Sequence, residues 1–198
     1  MNVVVAALRR GEAVVLPTET VYGLATLPTA TARIFELKGR SADVPLAVLC
    51  ADPRQALRLV DEPSDAVRRV ARELWPGPLT LVLPRRPGLG LQLGEPATTI
   101  GVRCPAHDLV RWIAAQVGPI AVTSANLHGQ PTPRSAAAIA RLFGKGVAAV
   151  VDGGELTGTP STVLDATSPD PADWRVLREG GVSLADVLAH AEPAPERG

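Results

Sequence analysis

Apolar residues Val4, Val5, Ala7 and Leu8 recur at helical spacing and stop before Gly11, which predicts a short first helix. Ala13 to Leu16 reads as a buried strand ended by Pro17. A helix is expected from about Thr29, with Ile34 and Leu37 inward, running to Lys38 and Gly39, followed by a strand from Pro45 to Cys50. Asp52-Pro53 has the form of an N-cap with proline at the first helical position, and Ser64 caps a further helix closed by Trp75-Pro76-Gly77. Strands are predicted at Leu79 to Leu83, Thr99 to Arg103, Ile120 to Val122, Val147 to Val151, Thr162 to Asp165 and Trp174 to Arg178. Helices are predicted at Asp108 to Val117, at Ser135 to Phe143 and after Ser183. Helix and strand alternate for most of the chain, but some strands follow one another with no helix long enough for a crossover, so the fold class is α/β with a mixed sheet.

At 198 residues, 46% of them apolar, the chain can bury the core of one domain and has little room for two. Twenty Lys and Arg balance twenty Asp and Glu, so no overall field draws it to nucleic acid or to an acidic membrane, and an anion site has to be local. Cys50 and Cys104 sit in apolar surroundings and read as small hydrophobes rather than as a disulfide or a nucleophile; a reducing compartment fits. The first residues, MNVVVAALRRG, form neither signal peptide nor membrane span, so the expected location is cytoplasmic. Residues 191 to 198 lack apolar content and read as a disordered tail.

Several chemistries find no carrier. GLGLQLG (88 to 94) does not open a helix, as a dinucleotide fingerprint must, and reads as a hairpin-like loop. GGELTGTPST (153 to 162) has no phosphate-loop lysine. His107, His128 and His190 are scattered without a cysteine pair, which excludes zinc spacing, and Ser124 lies outside any glycine-flanked nucleophile turn.

What remains are polar pairs two residues apart at the ends of elements: Thr18 and Thr20, Lys38 and Arg40, Ser124 and Asn126. Each has a plain structural account: a turn cap for LPTETVYGLA, favourable charge at a helix C-terminus for the basic pair, a polar turn for SAN. Arg103 and Arg178 close the otherwise apolar strands IGVR and WRVLR, positions that suit bidentate recognition of a planar anion. Together these groups suit a phosphate and a carboxylate rather than a metal.

In order, LPTETVYGLA, LKGR, WPGPLTLVL, GVRCPAH, TSAN, PSTVLD and VLREGG resemble the motifs of the YrdC-like family, the threonylcarbamoyl-AMP synthases, over roughly residues 10 to 185. The resemblance implies a single α/β domain, here residues 1 to 190, whose twisted mixed sheet is flanked by helices and carries a large open cleft. It implies a short form that converts L-threonine, bicarbonate and ATP into threonylcarbamoyl-AMP and pyrophosphate, with the adenylate used by partner proteins to make threonylcarbamoyladenosine in tRNA. Thr18, Arg103 and Ser161 then match the threonine-binding positions, with Val122 contributing backbone. Lys38 and Arg40 match the basic pair at the ATP phosphates, and Thr99, Ser124, Asn126, Thr132 and Arg178 match the nucleotide-contacting positions. Lys38 and Arg178 are the candidates for the charge developing on the α-phosphate. Magnesium is expected on the ATP phosphates, with no protein ligand to be read from the sequence. Glu19 is read as capping a turn, and Tyr22 to Leu24 as holding that turn against the core.

Ser41 stands where the family has a proline, Leu49 lies near a position where some members carry a histidine, and LATLP replaces a glycine-rich continuation; these departures bear on threonine affinity, not on reaction class. Two rival readings are RNA or tRNA binding without catalysis and carbamoyl-adenylate transfer to another acceptor. Three Trp, two Phe and one Tyr are a poor stacking platform for RNA. The second rival belongs to larger proteins with extra domains.

Overall fold

The computed structural model describes residues 2–39, 41–156 and 158–193. Nine strands form one mixed sheet: β1 (Val14–Leu16), β2 (Gly23–Thr26), β3 (Ala47–Leu49), β4 (Leu79–Pro84), β5 (Thr99–Arg103), β6 (Ile120–Ser124), β7 (Ala149–Val150), β8 (Thr162–Asp165) and β9 (Arg175–Arg178). Their order across the sheet is β7-β1-β2-β6-β3-β5-β4-β8-β9. The pairs β1/β7, β3/β5 and β4/β8 are parallel and the rest antiparallel, the mixture expected from strands that follow one another without a crossover.

Seven helices accompany it among the described residues: α1 (Asn2–Arg9), α2 (Ala32–Lys38), α3 (Pro53–Leu57), α4 (Asp65–Leu74), α5 (Asp108–Val117), α6 (Ala136–Phe143) and α7 (Leu184–Ala191). Side-chain caps start four of them. Asp52 accepts from Gln55 N at 2.7 Å, Ser64 from Val67 N at 3.3 Å, Ser135 from Ala138 N at 3.3 Å and Ser183 from Asp186 N at 3.1 Å. Helix α2 starts later than the Thr29 expected from sequence. Thr31 caps nothing, because its hydroxyl donates to Gln92 O on the loop before β5.

Strand alternation decides which face each helix covers. Val15, Leu24, Val48, Leu81, Val102 and Leu164 face one way and pack with Ile34 of α2, Ala56 of α3, Val67 and Val70 of α4, Ile139 of α6 and Val187 of α7. Val14, Leu16, Ala25, Leu49 and Ile120 face the other way, against Val5 and Leu8 of α1 and Ile113 of α5. The second face is therefore covered at one end only. Where α1 and α5 stop, the same face of β3, β4, β5 and β6 is open, and it carries Ala47, Thr80, Val82, Thr99, Gly101, Arg103, Val122 and Ser124.

Two expectations from sequence need amending. Tyr22 and Leu24 are buried in the core beside the turn, as expected, but no strand is predicted here and Gly23–Thr26 form one, β2, paired with both β1 and β6 inside the sheet. Strand β2 is squeezed at its first residue: a Cβ on Gly23 would lie 2.6 Å from Cγ2 of Val122. Helix α7 continues to Ala191, which is buried against the core, so the tail drawn from 191 begins too early, and residues 194–198 lie outside the described residues. No helix among the described residues is long and apolar enough to cross a membrane.

Gly23→Ala is expected to destabilise the fold by about 1–3 kcal/mol, because β2 and β6 cannot part without breaking the sheet. Urea unfolding followed by circular dichroism checks it, and an unchanged midpoint would show that β6 yields to the added methyl.

Candidate active site

The open end of the sheet is a cleft of about 490 Å³, within the range of small-molecule sites. Among the sequence-predicted residues, Thr18, Thr99, Arg103, Val122, Ser124, Thr132, Ser161 and Arg178 line it together. The residues come from β5, β6, β9, the turn after β1, the loop after β6 and the segment before β8, so the pocket is assembled by the sheet and its connections rather than by any single motif. No carboxylate is among the described lining residues, and no group of three His, Cys, Asp or Glu that could hold a metal occurs among the described residues.

The turn after β1 is built on Thr18. Its hydroxyl accepts from Thr20 N at 3.1 Å and Val21 N at 3.2 Å, donates to Val21 O at 2.7 Å and lies 2.8 Å from the Thr20 hydroxyl. Cap and pocket wall, which the sequence posed as alternatives, are the same residue. Thr20, not among the predicted site residues, also lines the cleft, and its hydroxyl accepts from Arg103 Nη1 at 3.2 Å.

Arg103, only 5% exposed, closes β5 and is gripped from three sides. Besides Thr20, Gly77 O accepts from its Nε at 3.0 Å, and Nη2 lies 2.6 Å from Oε1 of Glu19. The turn-capping role expected of Glu19 is thus replaced: Oε1 accepts from Ala106 N at 2.8 Å and the carboxylate pairs with Arg103. Arg178 on edge strand β9 donates from Nε and Nη2 to Ser161 O at 3.1 and 2.8 Å, and from Nη2 to Ser161 Oγ at 2.9 Å. Burial, and then the charge of Arg103, push the Arg178 guanidinium below its ordinary pKa, so the two cations raise the potential of one wall. Thr80, a second cleft residue the prediction omitted, lies 3.1 Å from the Ser161 hydroxyl. Its signal was legible as a polar side chain on the cleft-facing parity of LTLVL.

Lys38 is the last residue of α2, not part of an extended pair, and only 3% of it is exposed. Its Nζ donates to Ser124 O at 2.6 Å, Asn126 O at 2.9 Å and Asn126 Oδ1 at 3.0 Å. Lys38 and Asn126 thus stand beneath the Ser124 end of the cleft, and neither is among its lining residues. The Ser124 hydroxyl donates to Asn126 Oδ1 at 2.5 Å, and Thr132 Oγ1 is 3.5 Å from the same oxygen. Arg40 lies outside the described residues.

Two flanking loops are pinned. In the segment after β4, Arg85 N bonds Thr98 O at 2.8 Å, Gln92 N bonds Pro28 O at 2.7 Å, and Leu93 is buried in the cleft wall. The segment before β8 is held by the buried Tyr22: its hydroxyl donates to Gly154 O at 2.7 Å and accepts from Gly153 N at 2.9 Å. Gly158 of that segment touches the turn after β1 so closely that a Cβ would lie 2.7 Å from Thr20 O and 2.9 Å from Glu19 O. Burial pushes the Cys104 thiol up to about 11, against the opposing charge of Arg111, and the Cys50 thiol higher still, so neither is a thiolate at neutral pH. Elsewhere, a second concavity bordered by Arg54, Arg58, Arg68, Arg72 and Arg86 holds none of the motif residues.

A cleft in an α/β sheet with paired arginines, a hydroxyl-rich wall and no acidic side chain among its described lining residues has the chemistry that suits small anions. The chain belongs to the Sua5_yciO_yrdC family, described as telomere recombination, whose model matches residues 6–180. It is 40% identical over 185 residues to the threonylcarbamoyl-AMP synthase of Pyrococcus abyssi, covering 91% of this chain and 54% of that one. It is 38% identical over 191 residues to a putative threonylcarbamoyl-AMP synthase of Mycobacterium tuberculosis, covering 93% and 87%. A crystal structure of P. abyssi Sua5 complexed with L-threonine superposes with a TM-score of 0.87 at 37% identity, covering 95% of this chain and 57% of that one. The chain thus spans about half the length of the Pyrococcus relative.

Tyr22→Phe is expected to cost about 1–3 kcal/mol, since the Gly153 N–H and the Gly154 carbonyl lose their partner. Amide exchange at Gly153 and Gly154 should accelerate while β4 and β5 keep wild-type protection; uniform acceleration would show that the hydroxyl supports the whole core.

Proposed function

We propose that this chain is an L-threonylcarbamoyladenylate synthase, a nucleotidyltransferase of the cytoplasm. The observation that carries this reading is the convergence of Arg103, Arg178 and the Lys38-backed SAN turn on one cleft with no carboxylate among its described lining residues. Membership in the family, and a relative whose structure holds L-threonine, support it.

In this reading Arg103 receives the threonine carboxylate, with Thr18, Ser161 and the Val122 backbone around the amino acid. The threonine ammonium gives one proton to solvent, and the free amine then adds to the carbon of bicarbonate with loss of water, giving an N-carboxylate. One of its oxygens attacks the α-phosphorus of ATP, the bond to the β-phosphate oxygen breaks, and pyrophosphate leaves. The attacking group is already an anion, so the chain has to supply position and positive potential rather than a base or a covalent nucleophile. Thr99, Ser124, Asn126, Thr132, Lys38, Arg40 and Arg178 serve the nucleotide, Lys38 and Arg178 opposing the charge that develops at the α-phosphate. Magnesium fits as an ion carried by the ATP phosphates, because the cleft offers it hydroxyls but no acidic ligand among its described lining residues. The adenylate then passes to partner proteins that modify tRNA.

RNA binding without chemistry leaves the buried Arg103 of the cleft with no task. Transfer to another acceptor would run through a carbamoyl adenylate that contains no threonine, so the threonine dependence of turnover separates the two readings. The purified chain is expected to release pyrophosphate only when ATP, threonine and bicarbonate are all present, and ATP turnover independent of threonine would end the synthase reading. Arg103→Ala should weaken threonine binding by about 100-fold or more with little change for ATP. Equal losses for both would contradict the role assigned to Arg103.

A further inference from the structure

The geometry points to Glu19 as the positioning residue of the amino-acid subsite, acting through Arg103, an inference that rests on the proposed role of Arg103 as carboxylate receptor. Thr18 and Thr20 line the cleft, whereas Glu19 between them does not. The tight turn sends the two hydroxyls to the ligand side and the carboxylate behind the wall, where it meets the guanidinium at 2.6 Å.

Gly77 O and the Thr20 hydroxyl, the other two groups holding Arg103, are neutral. They fix direction but leave a buried charge unbalanced, which is costly in an interior. Glu19 is the one carboxylate ion-paired with Arg103 among the described residues. It is in turn held in place by Ala106 N at 2.8 Å, on the segment leading from β5 into α5. The carboxylate is therefore anchored from the helix side and the guanidinium from the strand side, which sets where Nη2 points.

That pairing is close but incomplete as a hydrogen bond. No N–H of Arg103 Nη2 is aimed at a protein acceptor with hydrogen-bond geometry, and Glu19 Oε2 likewise accepts none. Nη2 is itself closed off and faces Glu19, so the carboxylate balances the charge from behind and fixes the plane of the guanidinium that lines the cleft. Threonine arrives as a zwitterion with no net charge, so the field of Glu19 on the whole ligand largely cancels. What Glu19 contributes to affinity is the placement of Arg103.

The test compares Glu19→Gln, Glu19→Asp and Arg103→Ala in the full chain, with threonine and ATP titrated separately by calorimetry. Glu19→Gln is expected to raise the threonine Kd about ten- to a hundredfold, as a misplaced contact group does, and to leave the ATP Kd within about twofold. Glu19→Asp, which keeps the charge on a shorter arm, should recover part of the lost threonine affinity. It also carries the test if the glutamine variant fails to fold, through a threonine-only loss. Equal loss of threonine and ATP would show that Glu19 only maintains the fold, and wild-type threonine affinity in Glu19→Gln alongside loss in Arg103→Ala would overturn the positioning role alone. Wild-type threonine affinity in Arg103→Ala would overturn the reading of the subsite itself.

Discussion

The buried guanidinium of Arg103 is the constraint on which the rest of the site depends. A cation that is 5% exposed at the end of a strand has to be met by acceptors, and the chain brings three of them from two distant places. Gly77 O comes from the turn before β4, and Thr20 and Glu19 from the turn after β1. Removing a partner from a buried pair strands several kcal/mol of desolvation, so these segments are tied to one another by charge as well as by packing. The close approach of Gly158 to the Thr20 and Glu19 carbonyls adds the segment that leads to Ser161.

The cleft follows from incomplete coverage. One face of the sheet is packed by five helices, while the other receives α1 and α5 at one end only, so the same strand alternation that builds core at that end presents Thr80, Thr99, Arg103 and Ser124 to a pocket at the other. The cations are fixed before any ligand arrives. Lys38 is held by the SAN turn and Arg178 by Ser161, so their orientation is set during folding rather than during reaction. For a reaction whose nucleophile is already an anion, fixed positive potential is the contribution a protein can make.

Much of this was legible wherever a local rule governs. Asp52-Pro53 and Ser64 announce helix starts because capping involves neighbours three residues away, and Thr99 and Arg103 announce a pocket-facing edge because polar side chains on an apolar strand need a reason. Strand β2 was not legible: Gly23, Leu24 and Ala25 have no β-branched run, and Gly23 carries no side chain because Val122 of β6 comes too close for one. Lys38 resembled a helix-end charge because its partners lie 86 and 88 residues away. Glu19 and Thr20 looked structural for the same reason, since Arg103, 83 residues beyond Thr20, gives them their task. The start of α2 moved because Thr31 bonds a distant loop carbonyl in preference to its own helix. Local chemistry fixes where an element can begin, and long-range polar contacts decide which residues of the site act together.

The central claim is that one wall of the cleft, built around Arg103, receives the amino acid. A crystal structure of this chain with L-threonine tests it most directly. The account predicts the threonine carboxylate within hydrogen-bond distance of Arg103, with Glu19 still paired behind it and Thr18 and Ser161 beside the ligand. A carboxylate bound instead to Arg178 or beside Lys38, with Arg103 paired to Glu19 alone, would contradict it.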